Sequence, residues 1–437
     1  MIGRWCSLSW RGRLSSLSVP LLLLSGTDAP AQEGLRTALA GDRSARARQV
    51  DAVDDARPHA GPVEFEFSVG LSYSGEFNDN ITISEVDRES DFIHRPQVNL
   101  NGFLPTTETG RLSLGFGIGY TKYSSHEELN SLYFSPDSQL AYDIVGNDFV
   151  LSFYDGLEYS QDVESVAALS GVARFPRLEN TIGTRISWAP SRWTYQAGYA
   201  HYNFISAENE FSYLDRSSEQ FFARVGYGFA PATQVGLETS VALTDYITGS
   251  TQPDNNNFSV GPYTEWHVTE ALIVSARGGF TYFAFDSIPA SFGSRPISPG
   301  SPSFNLSTYY AGLGISHNLT EFISHDFSCS HDVRPAISSG SSYLESTQAR
   351  YSASWSLTQN TTVGMNFVYE RGKESAGGAV AVTTEAYERF GAGLSASRKL
   401  SGRLTAAIAY NYLRRNSTAG GGDYYQNRTS ISLQYQF

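Results

Sequence analysis

The sequence predicts an all-β fold: a transmembrane antiparallel up-and-down β-barrel of about 18 strands, preceded by a cleaved signal peptide. Three features predict it. Apolar and polar residues alternate in segments of about ten residues. Short and long links alternate between those segments. No stretch approaches the roughly 20 apolar residues of a membrane-spanning helix. The 437 residues fit one unit of this kind, because a closed barrel uses such a length as a single domain. Apolar residues make up 41% and aromatic residues 13%, which excludes a disordered chain.

At the N-terminus, Arg4, Arg11 and Arg13 precede the apolar run "LSSLSVPLLLLSG", and Ala29-Pro30-Ala31 supplies small residues where a signal peptidase reads. Residues 1–31 are therefore expected to be a signal peptide, with Gln32 starting the mature chain. Cys6 lies before the apolar run, so it does not form a lipobox. Cys329 is then the one cysteine left, and no internal disulfide can form. Residues 32–61 hold no aromatic residue and read as a flexible periplasmic segment, with a short helix at "LRTALAG" as the alternative. The barrel is expected over 62–437.

The first strand shows the pattern that repeats. Val63, Phe65, Phe67, Val69, Leu71 and Tyr73 share one face, and Glu64, Glu66, Ser68, Gly70 and Ser72 the other. Leu112, Leu114, Phe116, Ile118 and Tyr120 alternate with Ser113, Gly115, Gly117 and Gly119 in the same way. So do the segments at Phe221–Phe229 and Leu404–Tyr412. Short links are expected at 105–110, 145–148, 189–192, 230–233, 267–271, 318–321, 357–360 and 399–402. Longer polar links are expected near 75–91, 124–131, 162–179, 205–216, 247–256, 287–303, 335–342, 372–383 and 415–423. Barrels of the outer membrane place short turns on the periplasmic side and long loops outside. The chain closes on "TSISLQYQF", where Ile431, Leu433, Tyr435 and Phe437 share a face. In lipid no sheet edge can stay unpaired, so this strand must pair with the first. Tyr435 and Phe437 also look like the C-terminal signal read by the barrel-assembly machinery.

A narrower likeness lies at "YSGEFNDNITISEVDRESDFIHRPQVNLNGFLP", residues 73–105. A strand, an Asn-Asp-Asn loop, a Ser-Asp pair and a Pro-containing second strand resemble the start of the beta-barrel porin-2 type of outer-membrane protein. Asn78, Asp79, Asn80, Ser90, Asp91 and Pro96 are the matching positions. The resemblance implies an outer-membrane barrel and a link with exopolysaccharide production.

A barrel of this size leaves an aqueous lumen unless loops fill it. By parity, Arg111, Arg185, Arg224, Arg277, Arg350, Arg389 and Arg428 line the pore, with Glu64, Glu66, Asp143, Glu158, Glu238, Glu265 and Glu370. Rings of charge set selectivity in channels. The plainer reading is a wet wall whose charges pair with one another. Lys occurs three times, at Lys122, Lys373 and Lys399, against 28 Arg, whose planar fork suits carboxylates, phosphates and acidic sugars. Net charge is −13, and −15 without the signal's three Arg and Asp28, so nucleic acid is not an expected partner.

The link at 162–179, "DVESVAALSGVARFPRLE", is too apolar for a freely solvated loop. It is the third long link, and an inward fold would make it a constriction loop. Phe175 would then be buried, and Arg174 and Arg177 would be carried toward the inward acids. The competing expectation packs it over the outer mouth against 287–303. His325, Cys329 and His331 share a strand face, but His325 and Cys329 stand roughly 13 Å apart, too far for one ion. Glu85, Asp87, Glu89 and Asp91 lack the spacing and glycine of a calcium loop. No metal or cofactor is expected. The eight His residues form no esterase or protease motif, so an enzyme is not expected either. The sequence therefore reads as a porin-like channel for small or sugar-like solutes. Outer-membrane lipid and lipopolysaccharide are expected around it. The alternative is a non-conducting accessory barrel of a surface polysaccharide system.

Overall fold

The computed structural model describes residues 65–164, 166–247, 250–287, 303–339, 341–375 and 383–437. The proposed signal peptide, the segment 32–61 and Glu64 lie outside them, as does most of 287–303. Strand order follows the chain: β1 (Glu66–Asn78), β2 (Asp91–Pro105), β3 (Gly110–Tyr123), β4 (Ser131–Phe134), β5 (Gln139–Val145), β6 (Phe149–Ser160), β7 (Arg177–Trp188), β8 (Trp193–Ser206) and β9 (Arg216–Ala230). Then come β10 (Thr233–Tyr246), β11 (Asn255–His267), β12 (Leu272–Phe285), β13 (Phe304–Thr320), β14 (Ile323–Pro335), β15 (Tyr343–Thr358), β16 (Thr361–Ser375), β17 (Thr383–Lys399), β18 (Leu404–Ser417) and β19 (Tyr424–Gln436).

Each strand pairs antiparallel with its neighbours, and β19 returns to β1 from Gly70↔Gln436 to Asn78↔Arg428. The sheet is closed. Both β4 and β5 pair with β3 on one side and with β6 on the other, so they form one stave, and the wall is an 18-stranded barrel. The interruption falls at Pro136, which has no N–H to give to a ladder. Ser135 N donates to Gly117 O at 2.9 Å, and Gly117 N donates to Ser138 Oγ at 3.1 Å, so the break leaves those groups satisfied.

Parity decides what each face meets. Phe77, Leu140, Phe153, Ile186, Phe221, Leu237, Leu313, Trp355, Leu394, Ile408 and Ile431 are exposed on the outside, where lipid covers them. Alternate positions turn inward and are mostly small, polar or charged, with large apolar side chains such as Tyr202, Phe204, Phe283 and Leu413 where loops or neighbours cover them. This is a membrane-spanning wall of the bacterial outer-membrane type, with short links at one end and long links at the other.

Two places on the wall carry special fastenings. At the closure seam, Asp79 N donates to Asn427 O at 3.1 Å and its carboxylate takes Asn427 N at 2.6 Å and Asn427 Nδ2 at 2.7 Å. Asn80, fully buried, donates to Tyr425 O at 2.9 Å and accepts from Gln426 Nε2 at 2.8 Å. The Asn-Asp-Asn sequence thus extends the β1–β19 seam beyond its last ladder pair. Between β13 and β14 the ladder stops at Ala311↔His331, although both strands run on. There Phe283, Phe285, Phe304, Val333 and Tyr343 pack together and seal the rim.

Candidate functional site

The link between β6 and β7, residues 161–176, enters the barrel. Val163, Val166, Ala167, Ala168, Leu169 and Phe175 are buried. Apolar side chains leave water wherever a wall or another loop can cover them, which is what a loop this rich in Val, Ala and Leu requires. Val163, Val166, Leu169 and Phe175 pack with Ile83 of the first long link, Tyr202 and Phe204 of β8, Phe211 and Leu214 of a 3-10 turn, Leu413 of β18 and Tyr424 of β19. Ala167 and Ala168 meet Leu344 and Tyr387.

Arginines of the facing wall hold the loop's backbone. Arg389 Nη1 donates to Glu164 O at 2.7 Å. Arg415, with 0% of its surface exposed, donates from Nε to Ala167 O at 2.9 Å and from Nη2 to Ala168 O at 3.3 Å. Arg428 Nη1 lies 2.5 Å from Glu164 Oε2. A buried backbone carbonyl needs a donor, and a loop without regular structure finds few of its own. The wall supplies them.

Carboxylates balance these cations. Glu370 takes Arg389 at 2.9 Å, Arg334 at 3.2 Å and the Tyr387 hydroxyl at 3.0 Å. Glu385 pairs with Arg415 at 2.5 Å, and Glu76 with Arg95 at 3.3 Å and Arg428 at 3.8 Å. Burial pushes the Glu164 carboxyl up to about 7, outweighing the attraction of Arg428 beside it. Around this side of the lumen, the guanidinium groups of Arg95, Arg334, Arg350, Arg389, Arg415 and Arg428 are matched in number by the acids Glu76, Asp162, Glu164, Glu370, Glu374 and Glu385.

The remaining inward residues fall into smaller groups. Arg224 (β9) stands 3.7 Å from Glu238 (β10), over the Tyr263 ring, and Tyr310 donates to Glu238 at 3.1 Å. Arg277 on β12 lies beside Glu238. Arg111 and Asp143 are cross-strand neighbours, as are Glu158 and Glu179. Glu265 pairs with His267 at 3.2 Å, Arg185 is buried on β7, Arg350 stands opposite Val368, and Glu66 is exposed at the start of β1.

Arg177 is buried and bonds Glu179 Oε1 at 2.8 Å. Arg174 departs from expectation. It bonds Glu208 at 2.5 Å and Glu128 O at 2.9 Å, both on long links, because the loop's return turns it toward the outer rim and not toward the inward acids. Glu76, Arg95, Arg334, Glu385 and Arg415 obey the same inward parity as the expected residues and could have been read with them. Glu164 gave one signal, an acid inside an apolar loop.

The acidic first link does not gather its carboxylates into a cation site. Asp91 accepts from the N–H groups of Ser125 and His126 and from His126 Nδ1, and Glu89 meets His126 Nε2 at 3.0 Å. The Asp91 bond raises the His126 pKa above its usual range. Among the described residues no group of His, Cys, Asp or Glu is arranged to hold a metal.

Among solved structures, the chain is similar to Pseudomonas aeruginosa OccK2 (OpdF) in complex with glucuronate, with 12% identity, a TM-score of 0.46, and 86% of this chain and 98% of that one covered. It is also similar to OpdK of the same organism with vanillate (10% identity, TM-score 0.45, 85% and 99% covered). A third is the FrpB iron transporter of Neisseria meningitidis (8% identity, TM-score 0.44, 85% and 81% covered). At these values the likeness is that of one large barrel to another. No protein-family model matches the chain, and no curated protein does.

Proposed function

We propose that the chain is a porin-like channel of the outer membrane for small anionic or sugar-like solutes, with residues 161–176 as its constriction. One observation carries the proposal: the inward loop is fastened across the lumen by Arg389, Arg415 and Arg428 of the wall. A loop spanning the lumen leaves a narrow passage, and the guanidinium groups that hold it offer an anion charged hydrogen-bond donors. Planar-bilayer recording tests the proposal. A folded barrel should conduct with anion preference, and a folded barrel without conductance would end it.

A second reading has its own observation. The outer links interlock, with the Tyr213 hydroxyl donating to Ile337 O at 2.8 Å and Gln252 Nε2 to Ser338 O at 3.0 Å. A mouth held this way suits a non-conducting accessory barrel, and the same recording separates the two. The association with exopolysaccharide production rests on the resemblance of residues 73–105 and is proposed on that ground. Unchanged polysaccharide secretion in a strain lacking this protein would refute it.

A further inference from the structure

Two cations share one wall carboxylate at the base of the inward loop. Arg95 of β2 and Arg428 of β19 both reach Glu76 of β1, at 3.3 and 3.8 Å. The loop brings two acids beside that pair, Asp162 and Glu164. Glu164 lies 2.5 Å from Arg428. Glu76 is fixed in a strand, whereas Glu164 is carried by a link.

The backbone of Glu164 is also held, its N–H by Asp162 Oδ1 at 3.0 Å and its carbonyl by Arg389 at 2.7 Å. Charged and titratable groups surround its side chain from every side: Asp162 on the same loop, Glu76, Arg95, Tyr123, Arg389, Tyr424 and Arg428 on the strands.

We propose that Arg428, backed by Arg95, is a carboxylate-binding site of the lumen, and that Glu164 is its tethered occupant, displaced by the carboxylate of a small anionic solute. The proposal rests on the channel reading above and names its solute class. A guanidinium binds carboxylates through charge-assisted hydrogen bonds, and a solute's carboxylate makes the same bonds that Glu164 makes now. A neutral polyol of equal size does not.

The competition depends on pH in one direction. Burial holds the Glu164 carboxyl near 7, so below that pH the loop's acid is mostly neutral and a poor rival. As pH rises through 7 it ionises and competes, and solute binding weakens.

Calorimetric titration of the full-length detergent-solubilised barrel with sodium gluconate, against sorbitol as the neutral control, tests this. Gluconate should bind and sorbitol should not. Glu164→Gln should tighten gluconate several-fold and remove the weakening between about pH 6 and 8. Arg428→Gln should cost roughly tenfold or more, the value of a charged hydrogen bond. Should that variant fail to fold, Arg428→Lys keeps the charge, and a several-fold loss is expected. Equal responses to gluconate and sorbitol, or an affinity and pH profile unmoved by Glu164→Gln, would overturn the site. Conductance of the same preparations keeps the two claims apart. A conducting barrel indifferent to gluconate refutes the site alone, and a non-conducting barrel that binds gluconate refutes the channel alone.

Discussion

Replacing Arg415 with Ala should unfasten the inward loop. Its guanidinium donates to Ala167 O at 2.9 Å and to Ala168 O at 3.3 Å, and both bonds are buried. A hydrogen bond from a charged donor contributes about 1.5–3 kcal/mol. With the longer bond at the low end, and water entering to solvate the carbonyls, docking should weaken by about 3 kcal/mol. At 1.4 kcal/mol per tenfold, the undocked population rises on the order of 100-fold. Thiol labelling reads that population. A cysteine at Leu169, buried in the docked loop, in a Cys329→Ser background, reacts when the loop opens. The labelling rate should rise by about that factor while the barrel stays heat-modifiable on gels. The variant also frees Glu385 and Gly422 O, so Glu385→Gln serves as a control that leaves both loop bonds in place. A folded Arg415→Ala barrel whose labelling changes less than about threefold would mean that the loop is held by its apolar contacts and not by Arg415.

Other outcomes follow from the same geometry. Deleting residues 166–172 should raise conductance severalfold without loss of folding, measured in planar bilayers. Glu370→Gln leaves Arg334 and Arg389 without their buried counter-charge and should lower stability by about 3–5 kcal/mol, read as a shift in the urea midpoint. Asp79→Ala removes the carboxylate that takes two donors of Asn427, and should speed unfolding by loosening the seam between β1 and β19. Gly261→Val should block folding, because a Cβ there runs into the Gly278 carbonyl oxygen and Gly279 Cα, backbone that cannot move aside.

Most of the wall was legible because lipid and lumen impose opposite demands on alternate residues. Leu140 outside and Ala141 inside follow from that rule, as do Phe390 and Arg389. Closure was legible for a similar reason, since an unpaired edge in lipid is too costly to tolerate. The break between β4 and β5 has one local signal, Pro136, but the hydrogen bonds that satisfy it come from a neighbouring strand's Gly117, outside any local pattern. The inward fold of 161–176 could be expected from its apolar residues, but not its partners. Arg415 and Ala167 are 248 positions apart, and only the closed topology brings them together. Arg174 shows the limit of reading charge alone, because a half-exposed guanidinium took Glu208 on a neighbouring link. The Asn-Asp-Asn stretch read as a family mark, and its geometry gives it a mechanical part in the seam.

Single-channel recording of the purified full-length barrel in a planar bilayer under a salt gradient decides whether this barrel is an anion-preferring channel narrowed by its inward loop. Discrete conductance steps with a reversal potential on the anion side are expected, and larger steps once residues 166–172 are removed. A heat-modifiable barrel that passes no current with the loop present or deleted would contradict the channel reading.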